Sequence, residues 1–192
     1  FTGSGVQVVP GTHNYNSLII ANTNVAAVTM GASFSVANGL TVNAGSYLEI
    51  GSGLTLTLSG GTSQVNGRMR NSGTLTQSGG TLAFGSSSLY EHNINGGNLP
   101  NATWDNTAPG ATCSIIGWVG ATGAPGNLHP SGGFSNFIWN SPSQTGTPNF
   151  GGALQLVNRR LTITSTGVSN RINLSNTGSH SLTVGELLIN GG

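Results

Sequence analysis

Short bursts of alternating apolar and polar residues punctuate the chain: LTV at Leu40–Val42, LEI at Leu48–Ile50, LTLTL at Leu54–Leu58, LAF at Leu82–Phe84, LTI at Leu161–Ile163, INL at Ile172–Leu174 and LTV at Leu182–Val184. Alternation with a period of two sends one set of side chains inward and the residues between them outward, so each burst predicts a strand with one wet face. The pattern places Leu40, Val42, Leu54, Leu56, Leu161, Ile163, Leu182 and Val184 inside and Thr41, Thr55, Thr162 and Thr183 outside. Between the bursts lie AGS, GSG, SGG, NSG, STG and NTG, combinations that close turns. No stretch carries a helical period.

Short strands at these intervals fit either a sandwich of hairpins or a parallel solenoid. Repetition favours the second. A small turn followed by L-T-[VIL] returns at Leu40, Leu54, Leu161 and Leu182, the self-similarity of stacked coils. The expected fold is all-β, a parallel β-helix or β-solenoid with coils of roughly 20 to 25 residues. About eight such coils, each advancing ~4.8 Å, make a rod about 40 Å long. Residues 90–150 depart from the pattern, holding Trp104, Trp118, Trp139, six of the seven prolines and Cys113. They predict an irregular, decorated segment of one continuous solenoid, between regular coils at 1–89 and 151–192.

Composition narrows the function classes. Gly, Asn, Ser and Thr make up 99 of the 192 residues, against five arginines, four carboxylates and no lysine. Solubility then rests on hydroxyls and amides rather than on charge repulsion, which favours self-association or incorporation in something larger. Arg68, Arg70, Arg159, Arg160 and Arg171 are too few to form the footprint of a nucleic-acid binder. No apolar run reaches the length of a membrane helix. Cys113, the single cysteine, permits no internal disulfide and reads as a small buried hydrophobe. The start at Phe1 and the stop at Gly191-Gly192, directly after the strand-like ELLIN, predict a piece of a longer protein, whose remainder is then its first partner.

The order of phrases adds a resemblance. VVPGTHNYNSLIIANTNVAAVTMGASFSVANGLTVNAGSYLEIGSGLTLTLSGG, SLYEHNINGGNLPNATWDNTAPGATCSIIGW, FSNFIWNSPSQTG, LTITSTG and HSLTVGELLINGG together resemble repeats of large surface proteins of Bacteroidetes. Such proteins are exported by the type IX secretion system and form parallel β-solenoid rods. The likeness runs from about Val8 to Gly192, with YEH, NLPNATW and TCSIIG as its most specific part. It implies an extracellular or cell-surface location and contact with the secretion machinery. Relatives often carry a second cysteine where this chain has Ser141, so the resemblance does not carry over a bridge from Cys113.

Catalytic chemistry has little to draw on. Glu49, Glu91, Asp105 and Glu186 are the only carboxylates, and a glycosidase needs two of them facing one bond about 5–10 Å apart; stacking would have to bring Glu91 near Asp105. Glu91 and His92 are adjacent, and neighbours on a strand face opposite ways, which makes His92 a structural residue. His13, His129 and His180 lack ligand-type neighbours, so neither a metal nor another cofactor is expected. No G-x-S-x-G elbow or lysine-containing phosphate loop is present. The Thr-x-Thr pairs at Thr55, Thr74 and Thr162 are too scattered for an ice-binding rank and follow from strand propensity.

Aromatic rings over sugar faces are the usual means of holding glycans. Trp104, Trp118 and Trp139, with Asp105 beside the first, are therefore the candidate ligand-binding residues, set against burial as the ordinary fate of tryptophan. The expected function is a non-enzymatic stalk or adhesin segment of a secreted bacterial surface protein. The alternative is a glycan-binding or polysaccharide-lyase-like solenoid module, with surface glycans as partners.

Overall fold

A computed structural model describes residues 1–11, 13–120, 123–168, 170–175 and 179–191. Among them every named element is a strand, and every strand pairing is parallel. The chain winds as a β-solenoid of about eight coils around three sheets. The long face stacks Val8–Val9, Val28–Met30, Tyr47–Ile50, Arg68–Asn71, Leu89–His92, Thr112–Ile115, Phe134–Asn140, Leu156–Ser165 and Thr183–Ile189. A six-stranded face runs from Thr2–Gly3 to Thr103–Trp104, and a three-stranded face joins Phe34–Val36, Thr55–Leu58 and Thr74–Gln77.

Register fixes the coil length. Leu48 lies beside Val28, Met69 beside Leu48 and Tyr90 beside Met69, steps of 20, 21 and 21 residues. Cys113, Phe137, Leu161 and Leu187 continue the row with steps of 23, 24, 24 and 26. The extra residues enter after Trp104, where the six-stranded face ends; the three-stranded face has already ended at Thr74–Gln77, and isolated bridges such as Asn98–Gly126 and Asn149–Asn173 keep successive coils together. The expected irregular segment is thus a widening of the coils. It does not interrupt the long face, which crosses it on Leu89–His92, Thr112–Ile115 and Phe134–Asn140.

Alternation sorts the side chains as the pattern requires. Leu40, Val42 and Leu56 are fully buried and Leu161 and Ile163 nearly so, while Leu54, Leu182 and Val184 pack partly buried against the same core. Thr41 and Thr55 are half-buried and Thr183 is exposed. Thr162 corrects the expectation of an open outward threonine: it lies in register between Ile138 and Leu188, which leave it 8% exposed. Stacked corners leave no room for side chains at some turns. Gly61 has φ +64°, and a Cβ there would stand 2.0 Å from the Asn38 carbonyl oxygen, a position only glycine fills without strain.

Candidate functional site

The tryptophans are core residues. Trp104 is 5% exposed, Trp118 1% and Trp139 0%. Trp104 stacks on Phe84 with centroids 4.4 Å apart and leans on Phe134 at 5.2 Å; Trp118 meets Trp139 at 5.6 Å, and Trp139 meets Phe150 at 5.4 Å. The widened coils enclose more volume than leucine and valine fill, and these rings fill it. A sugar platform at the three rings is therefore corrected: none offers a face to solvent. Asp105 is exposed, but it serves its own turn, accepting the Thr107 N–H at 2.8 Å, which holds its carboxyl below the usual range.

Glu91 and Asp105 belong to different walls. Glu91 stands on the long face, 8% exposed, where it accepts Arg68 Nε and Nη2 at 2.9 and 2.8 Å and Arg70 Nε at 2.8 Å. Arg68 also lies 4.3 Å over the Tyr47 ring, and Glu49 occupies the register position beside Arg70. Farther along, Arg160 donates to Glu186 at 2.7 Å. Seven of the nine formal charges thus lie on strands of the long face; only Asp105 and Arg171 lie elsewhere. Sequence reasoning passed over this cluster although its signal was present: Glu49, Arg70 and Glu91 are spaced by 21 residues, one coil.

His92 points the opposite way, into the core. Its Nε2 is 2.7 Å from the Gly96 carbonyl, so Nε2 carries the proton and Nδ1 accepts the Tyr90 hydroxyl at 3.3 Å, which in turn accepts Asn71 Nδ2 at 3.2 Å. Every polar atom of the short chain is used, as burial demands. Desolvation holds the imidazole pKa below its usual value, with the Gly96 carbonyl opposing. Cys113 lies in the inward row between Tyr90 and Phe137, and burial pushes its thiol well up. Neither group is placed to meet a substrate.

One outward row of the long face lines a trough. In register run Tyr47, Arg68, Leu89, Thr112, Asn136, Arg160 and Glu186. Three open depressions, of about 450, 330 and 490 Å³, follow one another along it. Ser87 borders the first two, and Pro109, Asn136 and Arg160 are common to the second and third. Six strand-to-strand steps give the trough a length of roughly 30 Å. Its walls are hydroxyls, amides and paired guanidiniums, with Leu89, Pro109 and Ile138 as small apolar patches.

At the far end of the trough the ladder is irregular. Val157 pairs with Phe134 and Val184, and Arg160 with Asn136 and Glu186, so Asn158 and Arg159 together oppose one residue on each side. This is a β-bulge, which re-aims side chains. Arg159 and Arg160, consecutive in sequence, are both exposed and both line the same depression. Gly185 makes the bulge possible, because a Cβ there would stand 2.5 Å from the Arg159 carbonyl oxygen. No family model, curated protein or solved structure matches this chain.

Proposed function

We propose that the chain is a non-enzymatic structural and adhesive segment of a secreted bacterial surface protein, a rod that makes contacts along its long face. One observation carries this reading: two of the three carboxylates of that face, Glu91 and Glu186, are tied to arginines on neighbouring coils rather than converging on one point. A glycosidase needs a carboxylic acid kept protonated beside a second carboxylate. Glu91 is instead ion-paired with Arg68 and Arg70, and Glu186 with Arg160. Extracellular location, export by the type IX route and continuity with a longer chain are parts of the same proposal and rest on the resemblance of the repeats.

A second reading, a glycan-binding module, draws on the trough, whose polar and gently apolar walls match the hydroxyls and flat patches of sugars. The two are compatible, since an adhesive rod needs a contact surface. The test is incubation with a broad polysaccharide panel, assayed for new reducing ends and for unsaturated uronates. No release above a heat-denatured control is expected. Release that Glu91→Gln or Asp105→Asn abolishes would overturn the non-enzymatic reading.

A further inference from the structure

We propose that the end of the trough at the Asn158–Arg159 bulge is a binding site for the carboxylate of an acidic glycan, with Arg159 as the recognising cation and Arg160 and Asn136 beside it. The proposal deepens the adhesive reading above and rests on it.

Arg159 is the cation of the long face left with capacity to spare. Arg68 and Arg70 are engaged by Glu91, and Arg160 spends its Nε on Glu186. The Arg159 guanidinium makes no hydrogen bond or ion pair with any described residue. Without the bulge, alternation would turn one of the two consecutive arginines inward; with it, both guanidiniums stand over the same depression of about 490 Å³. The surrounding backbone is fixed: Asn158 Nδ2 donates to the Gly132 carbonyl at 2.7 Å and Asn136 Nδ2 to that of Pro109 at 3.1 Å. A planar guanidinium fork on a rigid bed is matched to a planar carboxylate.

The choice of a glycan over other polyanions follows from the rest of the trough. A nucleic acid presents a phosphate at every step and needs as many free cations, whereas two of the three arginines lining the trough, Arg68 and Arg160, are paired internally. A peptide strand needs an open backbone edge, and the strands beneath the trough between Tyr47–Ile50 and Leu156–Ser165 are paired on both sides. A chain rich in hydroxyls that carries carboxylates satisfies both the amide and hydroxyl walls and the spare cation.

The experiment is calorimetric titration of the chain with a galacturonate hexamer, its fully methyl-esterified counterpart and a sulfated oligosaccharide without carboxylates, at about 0.15 M salt, where exposed charges farther apart than about 8 Å are largely screened. Saturable binding of the free acid is expected, weakened about tenfold or more by Arg159→Gln, the loss typical of one charge-assisted contact. Arg171→Gln, away from the trough, should leave the affinity unchanged, and circular dichroism should show both variants folded. Equal affinity for the methyl ester, preference for the sulfated sugar, or unchanged binding by Arg159→Gln would overturn the site. Retained binding of neutral glycans in that event leaves the adhesive reading standing, whereas loss of every glycan by a folded chain removes both.

Discussion

His92 sits where a protonated imidazole has nowhere to place its charge. Its two ring nitrogens are committed to the Gly96 carbonyl and the Tyr90 hydroxyl, and Trp118 lies 6.3 Å away between ring centroids. Because burial lowers its pKa in the folded chain, the unfolded chain binds the extra proton first as pH falls through about 6.5. Unfolding is then favoured on the acid side: the contribution of neutral His92 is complete above that value and is lost below it. Thermal denaturation between pH 7.5 and 5 should show the melting temperature falling with pH, and His92→Asn should flatten that slope even while lowering the plateau. An unaltered slope in the variant would assign the effect to other groups. His13, His129 and His180 are all exposed and supply the internal comparison.

At the scale of the strand, two ion pairs of the long face separate by burial. Glu91 is clamped by two arginines at 10% side-chain exposure, while Arg160 and Glu186 are 52% and 55% exposed. Removing the first acid leaves Arg68 and Arg70, 36% and 29% exposed, beside each other without the counter-charge they share; removing the second leaves Arg160 largely in water. Glu91→Gln should therefore cost about 1–3 kcal/mol and Glu186→Gln less than about 1 kcal/mol, measured by urea titration, and equal losses would show that burial does not set the scale. The strands themselves were legible in advance, because the period of two at Leu40–Val42 or Leu161–Ile163 is local and survives in sequence. The clamp was legible only through the coil repeat, since Arg70 and Glu91 meet after a full turn. The bulge was not legible: two adjacent arginines carry no sign that one extra residue turns both outward, and the backbone that allows it depends on Gly185, a coil away. The tryptophans misled for a related reason, because the volume they fill is created by coil widening in residues far along the chain.

Among the described residues the core column is uncovered at its last strand, Thr183–Ile189. Leu187 and Ile189 stand in the inward rows of the long face, in register with Leu161 and Ile163, yet are 51% and 65% exposed because no described coil covers them. A depression of about 220 Å³ beside Ile189, lined by Ile163, Ile172 and Leu174, continues the apolar surface. An uncovered strand of this kind is a template for pairing. The isolated chain should self-associate in a concentration-dependent manner, visible by analytical ultracentrifugation, and Leu187→Lys with Ile189→Lys should return it to monomer; a monomer at every concentration in the unaltered chain would refute this. The lengthening of the coils, from 20 residues near Val28 to 26 near Leu187, has a mechanical meaning as well. Each coil is held to the next by its own rung of backbone hydrogen bonds, so a rod pulled by its ends peels one coil at a time. Every rung that gives way frees a slack loop of about 70 Å at the narrow end and about 90 Å at the wide one, which makes the molecule a shock absorber whose stroke grows toward one end.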